Sequence, residues 1–477
     1  MPDPGLGTPS SRFREAELLD DGAGGRLVYD LERTYLFELP EAFNAALSEW
    51  PPVRGDNQLD DWLEEEGLRT HLPKPSRCES ADAPPPQITD ISIDLPGACN
   101  MGCSYCFEKP IFSRIGKMSE RTLDQTLDFA FEQAAGAAEI VFHFGSGEPV
   151  IEFEQLRRLT ERAIARAAAA GQKIGFELTT NATLVTPEVA DFFAGNPFNI
   201  RVSCDGPAEI HDRHRPMANG RASYPRVARG LAILLDAMGD RVTVNSVFCA
   251  GTRLGDLWDW AKSLGIRHWH AIKVGADDTS DAHLVERDLD DFIEDTRAIA
   301  DEIYETLRAG GRPIDYHPLA KTVRRMMLPQ PITRFCGVAG SYVGVAADGA
   351  VYPCFRHLGL EDYRLGHVAT GIDDAMRQRY RRAEAAEVDR RPHCESCWAR
   401  YICGGGCYAD SVVYEEDKLS PQTAHCPYWR AEIAEGIRLY HRLRTTDPTL
   451  CLAMFDDDPE RLLETAEARI LERVRTF

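Results

Sequence analysis

The sequence is short of basic charge: 54 Lys and Arg stand against 76 Asp and Glu, a formal net charge of −22. Nucleic-acid binding leaves a basic footprint, so that class of function is excluded, and the acidity otherwise reads as a solubilising surface. No run of about 18 apolar residues occurs, so no membrane-spanning helix is expected. The opening MPDPGLGTPSSRFREAELLDDGAG lacks the apolar segment of a secretory signal, which makes a cytoplasmic location the expectation. The chain also lacks the apolar-poor composition of a disordered protein, with 43% hydrophobic and 9% aromatic residues. Its 477 residues exceed what one core supports, so two or three domains are expected. Cysteine, by contrast, is plentiful. Fourteen in a chain without a signal point to metal ligation or redox chemistry, because a reducing cytosol does not sustain structural disulfides.

Ten of the cysteines fall in two groups. The first is Cys99-x3-Cys103-x2-Cys106, within CNMGCSYCFE. The second is Cys336-x12-Gly349-x4-Cys354, then Cys394-x2-Cys397-x5-Cys403-x3-Cys407, then Cys426. Cys78, Cys204, Cys249 and Cys451 stand singly and read as small buried side chains.

Residues 1 to about 18, rich in Pro, Gly and Ser, read as a disordered tail. GRLVYDLERTYLFEL (25–39) alternates in two short runs and predicts a hairpin. Helical patterns follow at AFNAALSEW and LDDWLEEEGL, and the Pro- and Ser-rich stretch near 70–87 predicts a linker. Residues 19–87 are thus a small αβ module with its linker. From 88 to about 320 strand-like runs (ITDISIDL, EIVFHF, KIGFELTT, FNIRVSC, RVTVNSVF, HWHAIKV) alternate with helical ones. Thr186, Pro187 and Gly195 punctuate one of those helices as N-cap, first turn and C-cap. About six β-α units predict an α/β fold with a parallel sheet, a partial (β/α)6 barrel whose chemistry sits at the strand C-terminal ends. The cysteine triplet follows the first such strand. A third region, 321–430, opens on a hairpin turning at Asp348-Gly349, and its cysteine-dense segment 394–426 needs metal to hold it together. A helical tail, 431–477, is expected to close the chain.

Three thiolates within eight residues can hold one metal centre, and a structural zinc site would want a fourth ligand. The triplet, with Tyr105 before its last cysteine, Phe107 after it, and its place behind strand one, resembles the signature of the radical S-adenosylmethionine (SAM) superfamily. That resemblance implies a 4Fe–4S cluster on Cys99, Cys103 and Cys106 whose open iron chelates SAM. It also implies reductive cleavage of SAM to methionine and a 5′-deoxyadenosyl radical, with the protein orienting a cofactor that carries the hard chemistry. HFGSGEP (His143–Pro149) resembles the superfamily's Gly-Gly-Glu-Pro loop, with Ser146 where the first Gly usually stands and Gly147, Glu148 and Pro149 matching. TTNAT, with Thr180 and Asn181, is similar to the segment near the SAM ribose. VSCDGPAEIHDRHR resembles a stretch in which Ser203 and Arg215 would face SAM polar groups.

The second group resembles the SPASM extension of enzymes that mature peptides and proteins; one or two zinc sites are the bland alternative. By that resemblance Cys394, Cys397, Cys403 and Cys426 hold an outer auxiliary cluster and Cys336, Cys354 and Cys407 an inner one, three 4Fe–4S clusters in all. The inner set lacks an obvious fourth ligand, so it is open to a substrate thiolate or takes Cys78 or Cys451.

The N-terminal module is similar to the leader-recognition domains of thioether-forming maturases, which add a leader strand to a sheet edge. The first expectation is therefore an enzyme joining Cys sulfur to Asp or Glu methylene carbons in a peptide or small protein. Overall the chain is most similar to the group that matures quinohemoprotein amine dehydrogenase. That similarity implies the dehydrogenase's small subunit as substrate and a flavodoxin- or ferredoxin-type electron donor. The second expectation is a sulfatase maturase making formylglycine; those enzymes carry an Asp base directly after the second SPASM cysteine, where this chain has Phe355 and Arg356. The third is a non-catalytic iron–sulfur carrier. Asp205 and His211, near a strand end, are candidates for the base that takes the thiol proton, although both residue types there more often serve structure.

Overall fold

The computed structural model describes residues 12–44, 57–70, 84–108, 116–275, 280–285, 288–327, 331–383 and 385–455. Cys78 and most of the expected linker lie outside them, as do residues 1–11 of the expected tail and most of AFNAALSEW.

The N-terminal module is a three-stranded antiparallel sheet, β2 (Ala16–Asp20), β3 (Arg26–Asp30) and β4 (Tyr35–Leu39), beside a two-stranded pair, β1 (Arg12–Phe13) with β5 (Arg69–Thr70). The expected hairpin is β3–β4. Strand β2 extends the module to the N-terminal side of residue 19. Period-two alternation sorts the side chains to two faces. Val28, Phe37 and Leu39 pack on Leu59 and Leu63 of the helix Asn57–Glu65. Leu19, Leu27, Tyr29 and Leu31 pack instead on Cys394, Tyr401, Ile402 and Ile437 of the C-terminal region. Arg400, itself buried, ties the two parts by ion pairs to Glu15 and Asp389.

The six expected strands form one parallel series: β6 (Asp90–Ile93), β7 (Glu139–Phe144), β8 (Lys173–Thr180), β9 (Phe198–Ser203), β10 (Val242–Phe248) and β11 (His268–Lys273). The two-residue β12 (Asp315–Tyr316) adds to the β11 edge. Helices Glu120–Gln133, Phe153–Ala170, Pro187–Ala194, Tyr224–Met238, Leu254–Ser263 and Leu289–Arg308 follow the strands, the third capped by Thr186 through Val189 N–H as expected. Outward strand residues such as Phe142, Phe176 and Phe198 stack on one another under these helices. Inward positions are different: Asp90, His143, Glu177, Thr179, Ser203, Asn245 and His270 are polar and only half-buried. A closed barrel fills its lumen with branched apolar side chains. Here the sheet is an open arc with a polar hollow.

The far edge is shared. β13 (Tyr342–Val345) lies parallel to β6, Val343 opposite Ile91, and continues into β14 (Ala350–Tyr352), β15 (Gly366–His367) and β16 (Gly371–Ile372), so eleven strands make one sheet. The β13–β14 hairpin turns at Asp348-Gly349, where Gly349 adopts φ 92°. The expected boundaries at 320 and 430 both fall inside helices, His317–Met327 and Cys426–Thr446. The second of these is not a tail. Its first residue is a cysteine of the second group, and its body packs on Leu289–Arg308 and His317–Met327.

Candidate SAM and iron–sulfur site

The triplet loop leaves β6 through Asp94, whose Oδ1 accepts Gly97 N–H at 3.0 Å and whose carboxyl burial pushes up to about 6. Backbone bonds pin the loop to the segment after the fourth strand: Gly102 N–H to Pro216 O and Ser104 N–H to His214 O, each 2.8 Å. The three thiols share one electrostatic neighbourhood with Glu148, and burial pushes Cys99 up to about 12. Two side chains aim N–H groups at sulfur, Asn181 Nδ2 at Cys99 (3.8 Å) and Arg215 at Cys103 (3.9 Å). Asn181 also donates to Asn100 Oδ1 at 2.8 Å.

Beside the triplet lies the glycine loop. Gly147 sits at φ 62°, and a Cβ there would stand 2.2 Å from Ala98 O, so only glycine lets the two loops meet. Gly147 N–H donates to Glu108 Oε2 (2.9 Å), and burial raises that carboxyl to about 7. Glu148, 1% exposed, accepts from Thr180 Oγ1 (2.8 Å), Asn181 N–H (2.7 Å) and Val150 N–H (3.1 Å), and burial pushes it up to about 7 despite those donors. The expected residues Gly147, Glu148, Thr180 and Asn181 are thus one connected network, with Ser146 buried and Pro149 opening the 3-10 turn behind it. Ser203 ends β9 on the hollow side, opposite Asn245 of β10.

Asp205 and His211 hold this framework. Asp205 accepts from Arg215 Nε (2.9 Å), Val247 N–H (2.9 Å) and Tyr105 Oη, so both oxygens are occupied. The His211 ring takes Asp205 N–H on Nδ1 (3.2 Å) and meets Ser223 Oγ on Nε2 (3.0 Å), and burial lowers it to about 4. Neither presents a free atom to a substrate in this arrangement.

The second group divides as four and three. Cys394, Cys397, Cys403 and Cys426 are mutual electrostatic neighbours, as are Cys336, Cys354 and Cys407. Burial raises Cys394 to about 12 and Cys426 to about 11. Cys354 is buried, whereas Cys336 faces solvent. Cys451 packs in the barrel core, in a different apolar cluster from Cys354 and Cys407, so it is not brought to the inner set. Cys204 and Cys249 are buried, as packing residues would be.

Sequence reasoning missed the connection between triplet and inner set. Arg356 pairs with Asp410 (2.6 Å), donates to Cys407 Sγ (3.4 Å) and lies over the Phe107 ring at 4.4 Å. Phe107 meets Phe355 edge-on at 5.9 Å. Asn245 was missed too, since an Asn inside a strand run carries no signal of its own.

The donor sets are thiols, three on the triplet loop and seven in the second group, the soft ligands that iron–sulfur clusters take. Among the described residues no three His, Cys, Asp or Glu side chains converge on one metal-ion position. A cubane offers each thiolate a separate iron, so its ligands stand a cluster's width apart. For SAM, the cradle offers a buried polar atom without a protein partner, Asn245 Oδ1, while Ser146 Oγ is turned to the Glu108 carboxyl. Residues 93–264 match the radical SAM superfamily and 336–398 the SPASM iron–sulfur cluster-binding domain. The chain has a radical SAM fold with a C-terminal SPASM domain. Its cofactors are accordingly SAM and iron–sulfur clusters. The serine-type anaerobic sulfatase-maturating enzyme of Klebsiella aerogenes is 25% identical to this chain over 327 residues, 65% of this chain and 77% of that one. The cysteine-type enzyme of Clostridium perfringens is 24% identical over 344 residues, 68% of this chain and 89% of that one. Among solved structures, anSMEcpe with bound AdoMet shares the fold at TM-score 0.63 and 20% identity, covering 76% of this chain and 97% of that one. Streptococcus suis SuiB bound to its precursor peptide SuiA matches at TM-score 0.50 and 14% identity, covering 86% and 97%. No helix among the described residues is long and apolar enough to cross a membrane.

Proposed function

We propose that this radical SAM/SPASM chain modifies a peptide or small protein, joining a Cys sulfur to the methylene carbon of an Asp or Glu. The observation that carries the reading is the N-terminal module. Its sheet is covered on one face by a helix and on the other by the outer cysteine region, so its edges are what it has left to offer a peptide strand. The anSMEcpe fold accounts for 76% of this chain while using 97% of its own, so about a quarter of this chain is additional.

Cys99, Cys103 and Cys106 would hold the SAM-binding cluster, and Cys394, Cys397, Cys403 and Cys426 the outer auxiliary one. Cys336, Cys354 and Cys407 would hold the inner one, three 4Fe–4S clusters in all. The loaded site supplies hydrogen abstraction from an unactivated C–H bond. The chain's own residues do the rest. Glu148, Thr180 and Asn181 would fix the SAM loop against the triplet, with Ser203 and Asn245 as polar residues of the hollow. Arg215, braced by Asp205, faces Cys103. The inner set keeps its exposed side at Cys336, where a substrate thiolate could reach it. The small subunit of quinohemoprotein amine dehydrogenase is the proposed substrate, with a flavodoxin or ferredoxin as electron donor.

A second reading, formylglycine formation, draws on the sulfatase-maturating relatives. Phe355 and Arg356 after Cys354 count against it. Mass spectrometry of a candidate peptide after reaction separates the two. Loss of two hydrogens per link, with the Cys thiol no longer open to alkylation and no aldehyde formed, supports crosslinking; an aldehyde at a single former Cys or Ser that forms a hydrazone supports the second reading. Cys103→Ala should abolish 5′-deoxyadenosine formation from SAM, and Cys354→Ala should spare it but lose the product. Absence of 5′-deoxyadenosine from the intact reduced chain would leave only an electron carrier.

A further inference from the structure

The chain leaves Cys354 through a single 3-10 turn, Phe355–His357. His357 is wholly buried. Its Nδ1 stands 3.0 Å from Cys354 Sγ and its Nε2 stands 2.8 Å from Tyr380 Oη. The rings of Tyr363 and Tyr380 each meet the imidazole edge-on at 5.3 Å and meet each other at 5.7 Å, closing a box around it. Its contacts are these rings, the sulfur and the phenol, and a neutral imidazole so placed offers one N–H and one lone pair.

Those contacts decide which nitrogen carries the hydrogen. A thiolate bound to iron has no proton to give, so the hydrogen on the N···S contact belongs to Nδ1. Nε2 is then the acceptor, and Tyr380 must be the donor to it. We infer that His357 is a positioning residue of the inner auxiliary cluster: its Nδ1–H, held in that tautomer by Tyr380, hydrogen-bonds the Cys354 thiolate and raises the cluster's reduction potential. A donor on a ligand sulfur draws off charge and favours the reduced cluster. The effect is local to the inner set. Among the described residues, none of the four outer thiols receives a side-chain hydrogen bond. The same turn adds the N–H of Arg356 on Cys407, so the inner set gains two side-chain donors from three consecutive residues.

This inference rests on the proposal that Cys336, Cys354 and Cys407 hold a cluster, and the experiment separates the two. The full-length chain and its His357→Phe, His357→Asn and Tyr380→Phe variants are reconstituted anaerobically. Iron and sulfide are assayed, and each cluster is titrated electrochemically with EPR detection. His357→Phe should move the inner midpoint to lower potential and leave the other two unmoved. His357→Asn, whose amide N–H can take the place of Nδ1–H, should return most of the shift, and Tyr380→Phe should give an intermediate one. Iron and sulfide for fewer than three clusters in the unmodified chain would defeat the proposal beneath the inference. A fully loaded His357→Phe variant with an unmoved inner midpoint, or equal shifts in the Phe and Asn variants, would overturn the inference itself. If His357→Phe fails to load the inner set, the Asn and Tyr380→Phe midpoints decide by the same criterion.

Discussion

Replacing Lys273 by Met should loosen the helix that carries Cys426. Lys273 ends β11 and forms an ion pair with Glu432 of the helix Cys426–Thr446; both side chains are 1% exposed. Tyr316 Oη donates to the same carboxylate at 2.8 Å, and the ammonium lies 4.5 Å from the Trp429 ring centre and 5.2 Å from that of Phe292. Burial lowers the lysine's proton affinity more than Glu432 restores it, so the pair is held by its surroundings as much as by attraction. Deleting one partner of such a pair leaves a buried uncompensated charge, a loss of roughly 3–5 kcal/mol. The retained Tyr316 hydrogen bond, worth about 1.5–3 kcal/mol to a charged acceptor, keeps the result near the lower end. About 3 kcal/mol corresponds to roughly a hundredfold rise in the opening equilibrium of the helix. Hydrogen exchange of amides 426–446 reads that rise directly, and iron retained on the outer set should fall with it. Replacing both partners, Lys273→Met with Glu432→Leu, should restore most of the protection, because a well-packed apolar pair replaces a buried ion pair at little cost. Unchanged exchange in the single variant, or a double variant as labile as the single, would refute the reasoning.

Gly147→Ala should weaken SAM binding at least tenfold with iron content unchanged, since φ 62° and a contact at 2.2 Å to Ala98 O force the two loops apart; calorimetric SAM affinity checks it. Glu148 has a folded pKa of about 7 against 4.5. The folded SAM-free chain therefore keeps a proton that the unfolded chain releases, and this group's stabilisation is full below about pH 4.5 and lost as pH rises through about 7. Its span is about 3 kcal/mol. Glu148→Gln should flatten that window, measured as the urea midpoint at about pH 5 and about pH 8. Arg400→Ala leaves Glu15 and Asp389 without their buried cation; proteolysis within residues 12–44 should accelerate and the KM for a peptide substrate should rise, while SAM cleavage without peptide is unchanged.

Strands β7 and β8 coincide with the runs EIVFHF and KIGFELTT, because alternation marks a half-buried strand and capped helices bracket each run. The two-residue β12 carries no period to detect. Strand β2, AELLD, stands next to a Pro- and Gly-rich opening, and only pairing with β3 makes it a strand. The helix starting at Cys426 read as ligand plus tail because one residue serves both roles. The four-and-three division of the second cysteine group was an expectation of the resemblance, since spacing alone does not separate Cys407 from Cys403. His357, Arg356 and Asp410 were not, since what matters about them is distance across the fold. The polar hollow was legible only in part: alternation separates two faces of a strand but does not say that the inner one stays open.

The pairing of β13 with β6 bears on how such proteins can be recombined. The strand that opens the auxiliary region hydrogen-bonds along the strand that precedes the SAM triplet, Tyr342 opposite Asp90 through Val345 opposite Ile93. A graft that exchanged one region for that of a relative would have to cut through a sheet rather than through a tether. A register slip of a single residue would turn every side chain of the joined strand to the opposite face. The spacing between the two sets of thiols is therefore fixed by one continuous sheet.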